Sequence, residues 1–144
     1  MYQFLSAIIL LLILSQCATH SAAWNTGRTD SLAENQIMLV LEKPESLGWK
    51  RLQYATELHP EFAFFLEKIG KPDCIAETTQ GDRHYMICYQ LEQRRAFSCR
   101  SILDRPSIPM QVSGPYPMSH KEYSTLRGLK KRAESEMRTK SASE

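Results

Sequence analysis

At Gly70-Lys71-Pro72 the hydrophobic period of this chain changes, and that change limits the folds open to it. Before it, apolar residues recur at helical spacing; after it, they alternate. Phe62, Phe65, Leu66 and Ile69 form one apolar stripe, flanked by Phe64. Pro60 suits the first helical position, where a missing N–H costs nothing. Gly70 supplies a left-handed stop and Pro72 prevents the helix from resuming. An earlier helix is predicted over Glu45 to Leu58, with Leu47, Arg51, Tyr54 and Leu58 along one stripe and Leu47, Leu52 and Ala55 along the next. Ser31 to Lys43, bounded by Pro44, reads as a helix capped by Asp30 or Ser31, although Ile37 to Leu41 also has the character of a buried strand.

Beyond Pro72 the period is two. Cys74 to Thr79 is predicted as a strand and Gln80-Gly81-Asp82 as a turn. His84 to Leu91 follows as the most apolar strand, with Tyr85, Ile87, Tyr89 and Leu91 on one face. Glu92 to Arg95 turns the chain and Ala96 to Arg100 returns it. Residues 103–117 carry Pro106, Pro109, Gly114, Pro115 and Pro117, which suits an extended connection rather than a helix or central strand. Ser119 and Glu122 have capping-box spacing, and Tyr123, Leu126, Leu129 and Ala133 form a weak apolar stripe after them. Arg138 to Glu144 is expected to fray. The expected fold class is α+β: helices packed on one face of a three-stranded antiparallel meander, with a C-terminal helix.

The N-terminus bears on compartment. Phe4 to Leu14 is almost unbroken hydrocarbon. A helix of about a dozen residues rises about 18 Å, short of the roughly 30 Å hydrocarbon layer, so an export signal fits better than a membrane span. Leu14-Ser15-Gln16-Cys17-Ala18-Thr19 resembles the lipobox of bacterial lipoproteins, which implies acylation of Cys17 as a new N-terminus. Gln16 stands where that pattern carries Gly, Ala or Ser, and no Lys or Arg precedes the run. Ser21-Ala22-Ala23 is a competing small-x-small site that would release a soluble chain starting at Trp24. The organisation read from this is a signal over 1–17, a flexible tether over 18–30, an α+β domain over 31–118 and a basic helix with its tail over 119–144.

The four cysteines include Cys17; the others are Cys74, Cys88 and Cys99, separated by thirteen and ten residues. That spacing matches no zinc, haem-attachment or Cys-x-x-Cys redox pattern. A turn centred on Gly81 sets Cys74 opposite Cys88, and one centred on Gln93-Arg94 sets Cys88 opposite Cys99, so either pair is a disulfide candidate. A three-residue loop around Arg94 pairs Tyr89 with Cys99 instead and separates the thiols, leaving them as small buried hydrophobes. His84 shares a face with Cys88 but stands about 13 Å from it along the strand, too far for direct proton transfer. His59 is expected at an exposed turn, and Asp73, Glu77 and Asp82 as solvated carboxylates. No phosphate loop, Gly-x-Ser-x-Gly or His-Glu-x-x-His occurs, so no cofactor, metal site or catalytic residue is predicted. A net charge of +2 gives no argument for nucleic acid. Arg127, Lys130, Lys131 and Arg132 make the C-terminal segment locally basic, either as a solvated helix face or as a contact for anionic lipid or an acidic partner.

Signal, tether, two helices, Gly70-Lys71-Pro72 and a meander with Tyr89 in its middle strand resemble the small lipoproteins of the outer-membrane assembly machinery, the SmpA/BamE type. His59-Pro60 stands where that family has a Gly-containing turn, and Tyr85 where it favours Trp. The resemblance implies an architecture; function does not follow from a fold. The expectation is an exported cell-envelope protein, membrane-anchored and facing the periplasm, acting as a non-catalytic structural or interaction module. Its contact surface is expected on an exposed sheet face or the Pro-rich segment, against an envelope protein partner. The alternatives are a small exported enzyme or thiol-redox protein using Cys74, Cys88 or Cys99, and a soluble secreted inhibitor.

Overall fold

A computed structural model describes residues 37–142. The apolar leader, Cys17, the Ser21-Ala22-Ala23 site and the 18–30 tether lie outside the described residues. The described chain runs β1 (Ile37–Leu39), α1 (Leu47–Leu58), α2 (Pro60–Ile69), β2 (Cys74–Gln80), β3 (Arg83–Gln90), β4 (Arg95–Ile102), β5 (Gln111–Pro117) and α3 (His120–Ser141). The α+β class holds, but the sheet has five antiparallel strands in the order β1-β2-β3-β4-β5, not three.

The two added strands are the edges. Ile37–Leu39, read above as part of a helix, pairs with β2 (Ile37 opposite Ala76, Leu39 opposite Cys74). Tertiary pairing outweighs local helix preference here. The buried Val40 continues the ladder by donating its N–H to the Asp73 carbonyl at 3.0 Å. Ser46 then fixes the passage from strand to helix. Its Oγ accepts from the N–H of Leu41 and of Trp49, at 2.9 and 3.1 Å, and donates to the Leu39 carbonyl at 2.6 Å. Gly48 lets α1 approach that strand, since a Cβ there would lie 2.3 Å from the Leu39 carbonyl oxygen. At the other edge, the Pro-rich segment is a strand after all. Pro115 and Pro117 lack N–H groups and are tolerated because β5 has a free side.

Helices cover both faces of the sheet, not one. Ile75, Met86, Cys88, Phe97 and Cys99 pack under Leu52 and Ala55 of α1 and Phe62 of α2. Phe65 adds an edge-on contact to Phe97, with ring centres 5.2 Å apart. On the opposite face, Cys74, Ala76, Ile87, Tyr89 and Ala96 pack against Leu126 of α3. The reason lies in β3, where both alternating sets are apolar (Met86 and Cys88 against Ile87 and Tyr89), so each face needs cover. The α2 helix ends as expected at Gly70, with φ 85°. The α3 capping box forms between Ser119 and Glu122, and the helix continues through Arg138 to Ser141 rather than fraying there.

Candidate functional site

The β3–β4 register differs from both readings of the sequence. Gln90 pairs with Arg95, leaving a four-residue loop over Leu91–Arg94 with Arg94 in a left-handed conformation. Leu91 leaves the ladder because its N–H donates to Asp73 Oδ2 at 2.8 Å. Cys88 therefore faces Phe97, and Met86 faces Cys99. The two thiols are diagonal neighbours on the α1/α2 face, where Cα separations of about 7–8 Å exceed the roughly 4.4–6.8 Å that a disulfide spans. Cys74 faces Tyr89 and belongs to the α3 face, so it meets neither. All three are free, buried thiols. Burial, with the Asp73 charge adding and Lys130 opposing, pushes Cys74 up to about 12. The contact with Cys99, then burial, raises Cys88 as well. Thiols held protonated in this way are poor nucleophiles at neutral pH.

A cleft of about 280 Å³ lies between α1 and the loop joining β4 to β5, over one end of the sheet. One wall is a helical stripe of Arg51, Tyr54, Ala55 and Leu58, at the i, i+3, i+4, i+7 positions that share a face. The other wall is Leu103, Asp104, Pro106 and Met110. Leu103 N–H donates to the Asp82 carbonyl at 2.8 Å, and Met110 N–H donates to Glu61 Oε1 at 2.6 Å. The loop is thus tied to the sheet at one end and to α2 at the other.

The floor comes from the sheet. Glu77, His84, Met86 and Ser101 occupy three neighbouring strands, with His84 opposite Ser101 in register. Arg51 grips Glu77 with two parallel bonds, Nε to Oε2 at 2.9 Å and Nη2 to Oε1 at 3.1 Å. His84 Nε2 lies 3.5 Å from Glu77 Oε1. Burial alone would raise the Glu77 carboxyl; the His84 ring and the Arg51 guanidinium outweigh it and hold the group below its ordinary value. Glu77 is therefore a half-buried, partnered carboxylate rather than a solvated one. His59 is another correction: it is buried in the cleft wall, with Nδ1 3.4 Å from Glu61 Oε1 and outside hydrogen-bond geometry. Among the described residues no group of His, Cys, Asp and Glu is placed to hold a metal ion.

The basic residues of α3 divide. Lys130 Nζ meets Asp73 Oδ1 at 2.6 Å and ties the helix to the sheet. Arg127 and Arg94 flank the Tyr123 ring, at 5.7 and 4.2 Å from its centre. Lys131 and Arg132 remain exposed. The cleft was legible in one respect. Arg51 falls on an otherwise apolar stripe, where a charge implies an inward partner. The partner Glu77 and the floor residue Ser101 came from strands whose register the sequence left open.

Comparison with family models, curated proteins and solved structures finds no match to this chain.

Proposed function

We propose that this chain is an exported, membrane-tethered, non-catalytic interaction module of a bacterial cell envelope, and that it meets a partner protein at the cleft between α1 and the 103–110 loop. The apolar leader ending in Cys17 supports the address. The observation that carries the contact surface is the exposure of Tyr54 (52%), Leu58 (38%) and Leu103 (41%) around that one cleft. Large apolar side chains grouped on a surface mark binding sites more often than scattered ones do. Helices pack on both sheet faces, which supports the Pro-rich segment over a bare sheet face as the contact surface.

Two measurements on the protein in its own cells test this. Cys17→Ser should move it from the membrane to the soluble fraction; retention of the variant refutes the lipid anchor. A photo-crosslinking residue at Tyr54 or Leu103 should capture one discrete envelope protein, while the same residue at Thr139, on the exposed end of α3, should not. Equal capture from all three positions refutes the cleft as the contact site.

A further inference from the structure

One wall of the cleft is a loop, and a single carboxylate fastens its far end. At Leu103 the loop is held to the sheet by a backbone bond to the Asp82 carbonyl. At Met110 it is held by a side chain, with Glu61 Oε1 accepting the Met110 N–H at 2.6 Å. Residues 103–109, between these points, are exposed. The same Glu61 oxygen lies 3.4 Å from His59 Nδ1. His59 lines the cleft and is 4% exposed, and its Nδ1 is buried with no hydrogen-bond partner among the described residues. A buried polar atom left in that state calls for a reason. The backbone that carries the ring is fixed at the junction of α1 and α2. Its N–H donates to the Ala55 carbonyl at 3.0 Å, its carbonyl accepts from the Phe62 N–H at 2.9 Å, and Pro60 follows it.

A neutral imidazole has one donor nitrogen and one acceptor, whereas both nitrogens donate once it is protonated. An acceptor Nδ1 facing a carboxylate oxygen gains nothing by approaching it. A protonated Nδ1–H forms a charge-assisted bond to that oxygen, at about 2.7–2.9 Å. Glu61 Oε1 has lone pairs for both Met110 and His59. We infer that His59 is a proton-operated latch for the 103–110 loop. With the ring protonated, Glu61 is gripped from two sides and fastens the loop over the cleft; with the ring neutral, Glu61 holds Met110 alone and the loop opens more readily. Histidine suits this role because it is the side chain that changes charge between about pH 5 and 8. Burial alone would raise the Glu61 carboxyl, but the Met110 N–H, its own N–H and His59 outweigh it and hold the group below its ordinary 4.5. Glu61 therefore stays ionised across that range. The extra hold is present below the pH at which folded His59 gives up its proton and is lost as pH rises through it; the Glu61 bond fails only in stronger acid. The other ionisable groups lining the cleft are Arg51 and Tyr54 of α1, Glu77 of β2, His84 of β3 and Asp104 of the loop. Glu77 is occupied by Arg51 and His84, and among the described residues the ion-pair partner within reach of His59 is Glu61. The latch works without a bound partner, so it goes beyond the contact-site reading and does not depend on it.

The test is hydrogen exchange of the Met110 amide in the full chain in detergent, read by NMR between pH 8 and 5 and corrected for the intrinsic pH dependence of exchange. Protection of Met110 should rise at least about fivefold on acidification, as one added charge-assisted bond would give. Its midpoint should coincide with the titration of the His59 ring signals and not with those of His84. The Leu103 amide, bonded to a carbonyl, should not respond. His59→Phe keeps the ring and cannot be protonated, so it should make Met110 protection independent of pH over this range. Glu61→Gln leaves Met110 an acceptor without the charge and should do the same; it lies on the half-exposed side of the contact and decides the matter should the phenylalanine variant fail to fold. Unchanged Met110 protection from pH 8 to 5, a midpoint that follows His84, a His59 ring that does not titrate in this range, or a response that survives in Glu61→Gln would each overturn the inference.

Discussion

Asp73 joins three parts of the molecule, and its replacement should separate the contributions of charge and hydrogen bonding. Its carboxylate takes Lys130 Nζ on Oδ1 at 2.6 Å and the Leu91 N–H on Oδ2 at 2.8 Å. In Asp73→Ala the Leu91 N–H, on a buried residue, loses its acceptor, at about 1–3 kcal/mol. The ion pair is partly exposed, with side-chain accessibilities of 35% for Lys130 and 24% for Asp73. Solvent screening limits it to about 0.5–1 kcal/mol. The alanine variant should thus lose about 1.5–4 kcal/mol, roughly 10 °C in Tm for a domain of this size. Asp73→Asn keeps an acceptor for Leu91 and loses only the charge, at about 1 kcal/mol. Urea unfolding monitored by circular dichroism supplies both values. Adding Lys130→Met to each background should show coupling to Asp73. The hydrogen bond to Asp73 outweighs burial and raises the Lys130 pKa above its ordinary 10.5. The Lys130 contribution is therefore complete at neutral pH and, on the alkaline side, is lost as pH rises through that raised value. Two results would sink this account: an alanine variant within about 0.5 kcal/mol of the parent, or an asparagine variant as damaged as the alanine one.

Gly48→Ala should destabilise the fold by about 1–3 kcal/mol or more, because the new Cβ meets backbone that cannot move aside; thermal melts measure it. Phe62, the fully buried side chain of α2, should cost about 3–5 kcal/mol when cut to alanine, again by urea unfolding. The Glu77 carboxyl is held below its ordinary 4.5, so its contribution is present above that pH and is lost as pH falls through the lower folded value. Glu77→Gln should flatten the acid limb of the stability profile, and an unchanged slope argues against the pairing. Cys74, Cys88 and Cys99 should resist a thiol reagent at neutral pH in the folded protein and react fully after denaturation without reductant. Recovery of fewer than these three thiols shows that a bridge forms despite the diagonal register.

What the sequence discloses here is local, and what it withholds depends on partners far along the chain. The α2 helix, its proline start and its glycine stop are written in ten consecutive residues, as is the α3 capping box. The Ile37–Leu39 strand was ambiguous because a short apolar run suits a strand or a helix equally until β2 is known to lie beside it. Its pairing with Cys74–Ala76 spans more than thirty residues of chain. The cysteine geometry failed for a smaller reason. The register is the one that pairs Gln90 with Arg95, which sets Cys99 opposite Met86 rather than Cys88, and beyond it the Leu91 N–H goes to Asp73. No turn signal in Glu92-Gln93-Arg94-Arg95 encodes that. The cleft inherits the same difficulty, since Glu77, His84 and Ser101 come together only once two hairpin registers are fixed.

The basic C-terminal segment changes meaning once the two sheet faces are compared. A single cover of α1 and α2 would leave Ile87, Tyr89 and Ala96 in water, and burying side chains of that size contributes about 1.5–3 kcal/mol each for the larger ones. Leu126, fully buried, supplies the missing cover, and Lys130 secures it at Asp73. The helix that carries the positive charge is thus a layer of the domain, and of its four basic candidates only Arg127, Lys131 and Arg132 can still face outward. Arg127 is partly engaged with Tyr123, through a hydrogen bond of 3.2 Å to its hydroxyl. The edges are limited as well: β5 lacks donors at Pro115 and Pro117, and β1 is three residues long with its Leu39 carbonyl already taken by Ser46. With faces covered and edges blunted among the described residues, the functional proposal is placed at the α1 cleft, where Tyr54, Leu58 and Leu103 are exposed together, and not on the basic helix.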